Sequence, residues 1–273
     1  MKRLIMLMMV VAVTAALLAC TKDGRENEND DVEIEPQYAG ADTMTLRVVG
    51  SGEGGILVLA GETELYTLPL NGVTLYLDGS SVSAAEIESG MTAEVWYTGG
   101  VQETYPAKFS QVVAVSLSRE DDARYDLCGL YLQVLEDLWN EDDGLNGGAE
   151  IVSVDLSKAP GGLTVGEKAA IAYAFSQRHG VEGLTMTFDE LREEGYLAGE
   201  KTEDGKTAYS FTNGLLFTIT PDESAEGEGF SLPVVCFSAE KWRSPLGAYY
   251  FTECTASRGE SGWEYSVGAE MIA

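Results

Sequence analysis

The chain has 273 residues, 45% of them apolar, and carries 45 acidic against 17 basic side chains for a net charge of −28. That balance excludes nucleic acid as a partner, because binding a phosphate backbone depends on neutralising it with lysine and arginine. One histidine and no C-x-x-C pair leave neither a histidine-rich metal site nor a paired-cysteine zinc or redox site.

Lys2 and Arg3 precede the apolar run Leu4–Leu18, and Leu17-Leu18-Ala19-Cys20 closes it. This is the pattern of a bacterial lipoprotein signal, and the run is short of the about 20 residues of a membrane span. Residues 1–19 are therefore expected to be a cleaved signal peptide. Cys20 is the expected lipidation site, fixing the mature chain by diacylglycerol to the extracytoplasmic face of the cell membrane. Residues 20–42 hold Glu26, Glu28, Asp30, Asp31, Glu33 and Glu35 with almost no large apolar side chain, which predicts a disordered acidic tether.

Residues 43–118 predict a compact β domain. Strands are expected at Thr45–Val49, Gly55–Ala60, Glu64–Leu68, Thr74–Tyr76, Thr92–Thr98 and Gln111–Ser118, separated by Gly, Asn and Pro signals. Ser83-Ala84-Ala85-Glu86 has the form of a capping box, which opens a short helical turn. In the strand that follows, Trp96 stands with Thr92 and Glu94 on a polar face.

The run Ala85 to Tyr97, ending Glu94-Val95-Trp96-Tyr97 and followed by Glu103-Thr104-Tyr105-Pro106-Ala107, resembles the YobA-like domain of bacterial lipoproteins. The resemblance implies a small OB-like β-barrel, exported and lipid-anchored. It brings no catalytic residue with it and covers only the N-terminal part of the mature chain.

Residues 119–273 switch to helices and then strands. An amphipathic helix is expected over Tyr125–Asn140, a strand at Ile151–Leu156, and a helix opened by the Thr164–Glu167 capping box and closed at His179-Gly180. The middle of that second helix is apolar nearly all round, which predicts burial between layers. A strand at Leu184–Thr187 and a brief helix capped by Thr187 come next, then strands at Leu215–Thr220, Phe230–Ala239, Ala248–Ser257 and Trp263–Ala269. The expected class is α+β, an OB-like barrel followed by an α+β domain with an antiparallel sheet and covering helices.

The constellations that carry chemistry are few. Gly50-Ser51-Gly52-Glu53-Gly54-Gly55 matches G-x-G-x-x-G, but a strand rather than a helix follows, so a hairpin loop is expected in place of a dinucleotide site. Ser238-Ala239-Glu240-Lys241 matches S-x-x-K without its companion motifs. His179, the lone histidine, sits where a partly cationic ring favours helix C-terminal carbonyls. Asn140–Asn146 is the densest acidic loop, weighed between a solvated helix end and a Ca²⁺ loop, although it lacks EF-hand spacing. With Cys20 lipidated, Cys128, Cys236 and Cys254 allow at most one disulfide; Cys236 and Cys254 on neighbouring strands is one possibility and buried free thiols the other.

No catalytic set, metal site or cofactor is expected. Trp96, Trp242 and Arg243 are the candidate ligand contacts, the first because it breaks a polar face and the others because they form a basic aromatic turn in an acidic protein. The sequence predicts a non-catalytic binding or interaction module at the cell envelope, with an envelope glycan, peptide or protein as partner. An envelope hydrolase using carboxylates or a metal, or an inhibitor or accessory subunit, is the alternative.

Overall fold

A computed structural model describes residues 38–52, 55–120, 122, 126–222, 234–259 and 262–273. The signal segment, Cys20 and most of the tether lie outside the described residues. Residues 40–273 form one compact unit. Strands make up 49% and helices 20%, arranged as a closed five-stranded barrel and a half-barrel.

The barrel is built from β1 (Asp42–Gly52), β2 (Gly55–Ala60), β3 (Glu64–Leu68), β6 (Thr92–Gln102) and β7 (Ala107–Ser118). They run in the order β3-β2-β1-β6-β7 and close by parallel pairing of Tyr66 and Thr67 with Ala107 and Lys108. β4 (Thr74–Leu77) and β5 (Ser80–Ser81) extend the sheet outside the closure, β4 lying parallel on β7. Alternate residues face the barrel interior, where Val48, Val58, Leu68, Ala93, Val95 and Val115 meet.

β2 is apolar without alternation because both its faces are covered. Val58 points into the barrel, whereas Leu57 and Leu59, with Val49 and Leu65, join a second core outside it. The helices that cover this outer face are α1 (Leu127–Asn140) and α2 (Val165–His179). α2 begins at a capping box in which Glu167 N–H donates to Thr164 Oγ1 at 3.2 Å and Thr164 N–H to Glu167 Oε2 at 2.6 Å. It ends at Gly180, whose φ of +65° provides the left-handed cap.

α2 meets the barrel closely. Gly166 N–H donates to Glu62 O at 2.8 Å, and a Cβ at Gly166 would stand 2.6 Å from both that oxygen and Leu59 Cδ1. Only a residue without a side chain permits this approach. At the next residue, the Arg47 guanidinium of β1 pairs with the Glu167 carboxylate at 2.7 Å, with Glu167 1% and Arg47 13% exposed.

The half-barrel runs β15-β14-β13-β12-β8-β9. Its strands are β8 (Ile151–Asp155), β9 (Glu182–Leu184), β12 (Gly214–Pro221), β13 (Val234–Ser244), β14 (Gly247–Gly259) and β15 (Gly262–Ser266), with β16 (Ala269–Ile272) on β14. β12 to β15 are antiparallel, but β8 is parallel to both β12 and β9. The sheet is thus mixed, which corrects the expectation of an antiparallel one. The cause is the long crossover through α2, which brings the chain back in the same direction. The strand expected at Leu184–Thr187 forms earlier, at Glu182–Leu184.

A hairpin with no signal in the sequence pattern, β10 (Ala198–Lys201) with β11 (Thr207–Ser210), accompanies α3 (Phe188–Glu193). Around these elements Leu191, Leu197 and Phe211 form a small third core with Ile151 and Leu216. Among the described residues no helix is long and apolar enough to cross a membrane.

Cys236 and Cys254 do lie on the hairpin of β13 and β14, yet Cys236 pairs with Thr255 and Cys254 with Phe237. Side chains alternate along a strand, so the two thiols point to opposite faces and remain free, as does Cys128. Reductant is therefore expected to leave the melting temperature unchanged; a drop on adding dithiothreitol would show a bridge.

Candidate functional site

Where the barrel meets the half-barrel, a cleft of about 590 Å³ opens. Its barrel side is the turn Glu88–Met91 before β6 and the residues Arg119, Glu120 and Asp122 after β7. Its other side is the start of α1, from Asp126 to Gln133, with Arg258 at the end of β14 and Trp263 in β15.

Gly129 determines how closely these sides approach. A Cβ there would stand 2.8 Å from Asp126 Oδ1 and 3.0 Å from Ser89 Cβ, so the first turn of α1 rests directly against the barrel turn. A second recess of about 310 Å³ shares Ser89, Gly129 and Gln133 and continues toward Glu136 and Arg178. The two form one trench along α1.

Each arginine of the cleft is already engaged. Arg119 pairs with Glu88 at 3.3 Å, and Arg258 donates to the Asp122 carbonyl at 3.3 Å. Glu120 accepts the Thr92 hydroxyl at 2.7 Å. Asp126 precedes α1 without capping it, and Arg258 and Ser89 are the groups that favour its charged form. Burial pushes its carboxyl up to about 6, opposed by the charge of Arg258 and a hydrogen bond from the Ser89 hydroxyl and assisted by Glu88. Ser89 Oγ, beside that carboxyl, is shut off from solvent. A carboxyl raised by burial on the wall of a cavity large enough for a small molecule makes this cleft the candidate site.

The residues singled out in the sequence lie elsewhere. Trp96 is half-buried on β6, opposite Thr43 and Ala114. Trp242 packs edge-on to Phe188 at 5.2 Å beside the third core. Arg243 donates to the carbonyls of Leu145, Gly147 and Thr212 at 2.6 to 2.7 Å. The three do not converge and none lines the cleft. Arg243 instead ties the acidic loop to the half-barrel.

The acidic loop after α1 is organised by an internal cation. Lys241 of β13 is fully buried, and its ammonium donates to the carbonyls of Trp139, Glu141 and Asp142 and to Asn146 Oδ1. Three main-chain oxygens of the loop and its surroundings, with the Asn146 amide oxygen, therefore face a lysine. The same side chain disposes of the S-x-x-K motif: three residues apart on a strand, Ser238 and Lys241 face opposite sides, and Ser238 donates to Asp222 at 2.8 Å instead.

His179 ends α2 as expected, with its Nε2 3.0 Å from Glu136 Oε2 and its ring stacked on Trp139 at 4.0 Å. Burial would raise the Glu136 carboxyl, but His179 and Arg178 together hold it below the ordinary range. Among the described residues no three of His, Cys, Asp and Glu converge as metal ligands.

No protein-family model matches the chain, and no curated protein or solved structure matches it significantly.

Proposed function

We propose that the chain is a lipid-anchored, extracytoplasmic binding lipoprotein of the bacterial envelope whose ligand enters the cleft between barrel and half-barrel. The cleft carries the reading: about 590 Å³ suits a small ligand, and polar groups line it from both sides. The barrel, read as OB-like and as a YobA-like domain, supplies one side through the turn Glu88–Met91. Cys20 supplies the anchor and the acidic residues after it the tether.

The test is thermal unfolding of the full chain in detergent against envelope glycans and peptides, since a ligand bound only by the folded state raises the melting temperature. A rise that Arg119→Gln, on the exposed rim, diminishes supports the reading. A panel that moves nothing overturns a small-ligand role and favours a protein partner. The anchor is tested separately: Cys20→Ser is expected to shift the protein from the membrane fraction to the soluble one, and unchanged fractionation would refute lipidation there.

A second reading, an envelope hydrolase acting through carboxylates, draws on Asp126, whose carboxyl, near 6, is in the range that suits a general acid near neutral pH. It requires turnover of an envelope glycan or peptide that Asp126→Asn abolishes.

A further inference from the structure

A second cavity, of about 440 Å³, lies along α2 and shares no residue with the cleft. Ala169, Ala172, Tyr173, Ser176 and Gln177 of α2 form one wall, the segment from Val181 to Met186 with β9 forms the other, and Tyr105, between β6 and β7, completes the lining. Tyr105 is 69% exposed, and Tyr173 acts on its phenol electrostatically, so the two hydroxyls are neighbours. The small alanines leave an apolar recess beside them.

The main chain of this groove is open as well. β9 ends the half-barrel sheet and, among the described residues, pairs only with β8. Glu182 N–H donates to Glu150 O at 2.8 Å, and Glu182 and Leu184 stand opposite Ile151 and Ser153. Peptide groups alternate in direction along a strand, so those of Gly183 point away from β8 to the free edge. Gly183 is exposed, and its lack of a side chain lets α2 settle on the strand, since a Cβ there would stand 2.5 Å from Ser176 Oγ. A main-chain donor and acceptor thus stand at an open edge beside an apolar recess, the arrangement to which an extended peptide adds as a strand.

We propose that this groove takes an extended, cationic peptide of a partner protein, which adds to β9 through Gly183 and places one large apolar side chain in the recess beside Tyr105 and Tyr173. So short an edge does not hold a strand by main-chain bonds alone, and the recess supplies the remaining affinity and the choice of side chain. Glu182 is the only charged group of the lining, and the whole chain carries a net charge of −28. The groove therefore repels an anionic strand and draws in a cationic one. A glycan needs only the ring of Tyr105, whereas a peptide uses ring, recess and strand edge together.

The experiment is isothermal titration of the full chain with a short synthetic peptide, capped at both termini, that alternates valine and threonine around a central leucine and carries lysine at each end. Three relatives change one feature each: N-methylation of alternate backbone amides blocks strand pairing, glutamate ends reverse the charge, and a central alanine empties the recess. The parent peptide is expected to bind and each relative to bind at least about tenfold more weakly, the loss of a single well-made contact. Tyr105→Ala, at an exposed position, is expected to weaken the parent peptide by a similar factor, and the comparison among peptides stands even if that variant folds poorly. A relative that binds as tightly as the parent overturns the inference, as does silence of all four peptides. Peptide binding weakened by Arg119→Gln and untouched by Tyr105→Ala would overturn it too, and would assign the peptide to the cleft. Chitotetraose binding that Tyr105→Ala removes, with the peptides silent, would make the groove a glycan site instead.

Discussion

Lys241→Met is expected to destabilise the protein by about 3–5 kcal/mol, the usual cost of removing one partner from a buried charged network. Methionine nearly matches lysine in length and fills the same space, so the loss isolates the ammonium. Without it, three main-chain carbonyls and Asn146 Oδ1 lose their shared donor, and each buried acceptor left unmatched costs about 1–3 kcal/mol. Water entering the loop offsets part of that sum. For a chain of this size each kcal/mol moves the melting temperature by about 2–4 °C, so calorimetry should register a fall of about 10 °C. A fall under about 2 °C would mean that the loop after α1 is held by Arg243 alone. The cation that organises this acidic loop is thus a side chain of the neighbouring sheet.

That arrangement marks the limit of what the sequence discloses. Features specified by neighbours in sequence are legible. The boundaries Gly55–Ala60 and Glu64–Leu68 follow from apolar runs bounded by turn residues, and Thr164 and Thr187 identify helix starts because a capping box is complete within four residues. Features specified by distant residues are not. Lys241 reads only as the last residue of an S-x-x-K match until its partners, about 100 positions earlier, are brought under it. β10 and β11 escape detection because neither has a buried face, leaving no alternation to read. The parallel placement of β8 depends on where a long crossover returns, which no local pattern encodes.

The cleft was hidden for a related reason. Ser89, Arg119, Asp126 and Arg258 come from four separate elements, and among 45 acidic residues nothing local distinguishes Asp126. Its one sequence signal is Gly129 in the first turn of a helix, where glycine is unfavourable and therefore suggests a close neighbour. Trp96, Trp242 and Arg243 attracted attention as chemically conspicuous side chains. Conspicuous types are also those that proteins use for packing and for tying loops, and Trp242 and Arg243 do those tasks here.

Glu167→Gln is the second change expected to cost about 3–5 kcal/mol, because it leaves the Arg47 guanidinium buried against an uncharged amide. Glutamine retains an oxygen for the Thr164 N–H, so the helix cap survives and the loss reports on the charge. The pH dependence gives an independent check. Burial alone would raise the Glu167 carboxyl, but the Thr164 N–H and the Arg47 guanidinium hold it below its ordinary value of 4.5. A group whose folded value is depressed stabilises the protein above its unfolded value, and that stabilisation disappears as pH falls through the folded one. Wild-type stability should accordingly decline as pH drops below about 4.5, and the curve for Glu167→Gln should be flatter there. Arg47→Met added to Glu167→Gln should restore much of the loss, since removing both buried charges is far less costly than removing one. Urea unfolding of the single and double variants separates the cases. A single-variant cost no larger than the about 0–1 kcal/mol of an exposed pair, such as Arg119 with Glu88, would mean that Arg47 reaches water when its partner is gone. A cost of the expected size, recovered in the double variant, would identify the contact between β1 and α2 as the point where a single buried charge pair joins the barrel to the helices that line the cleft.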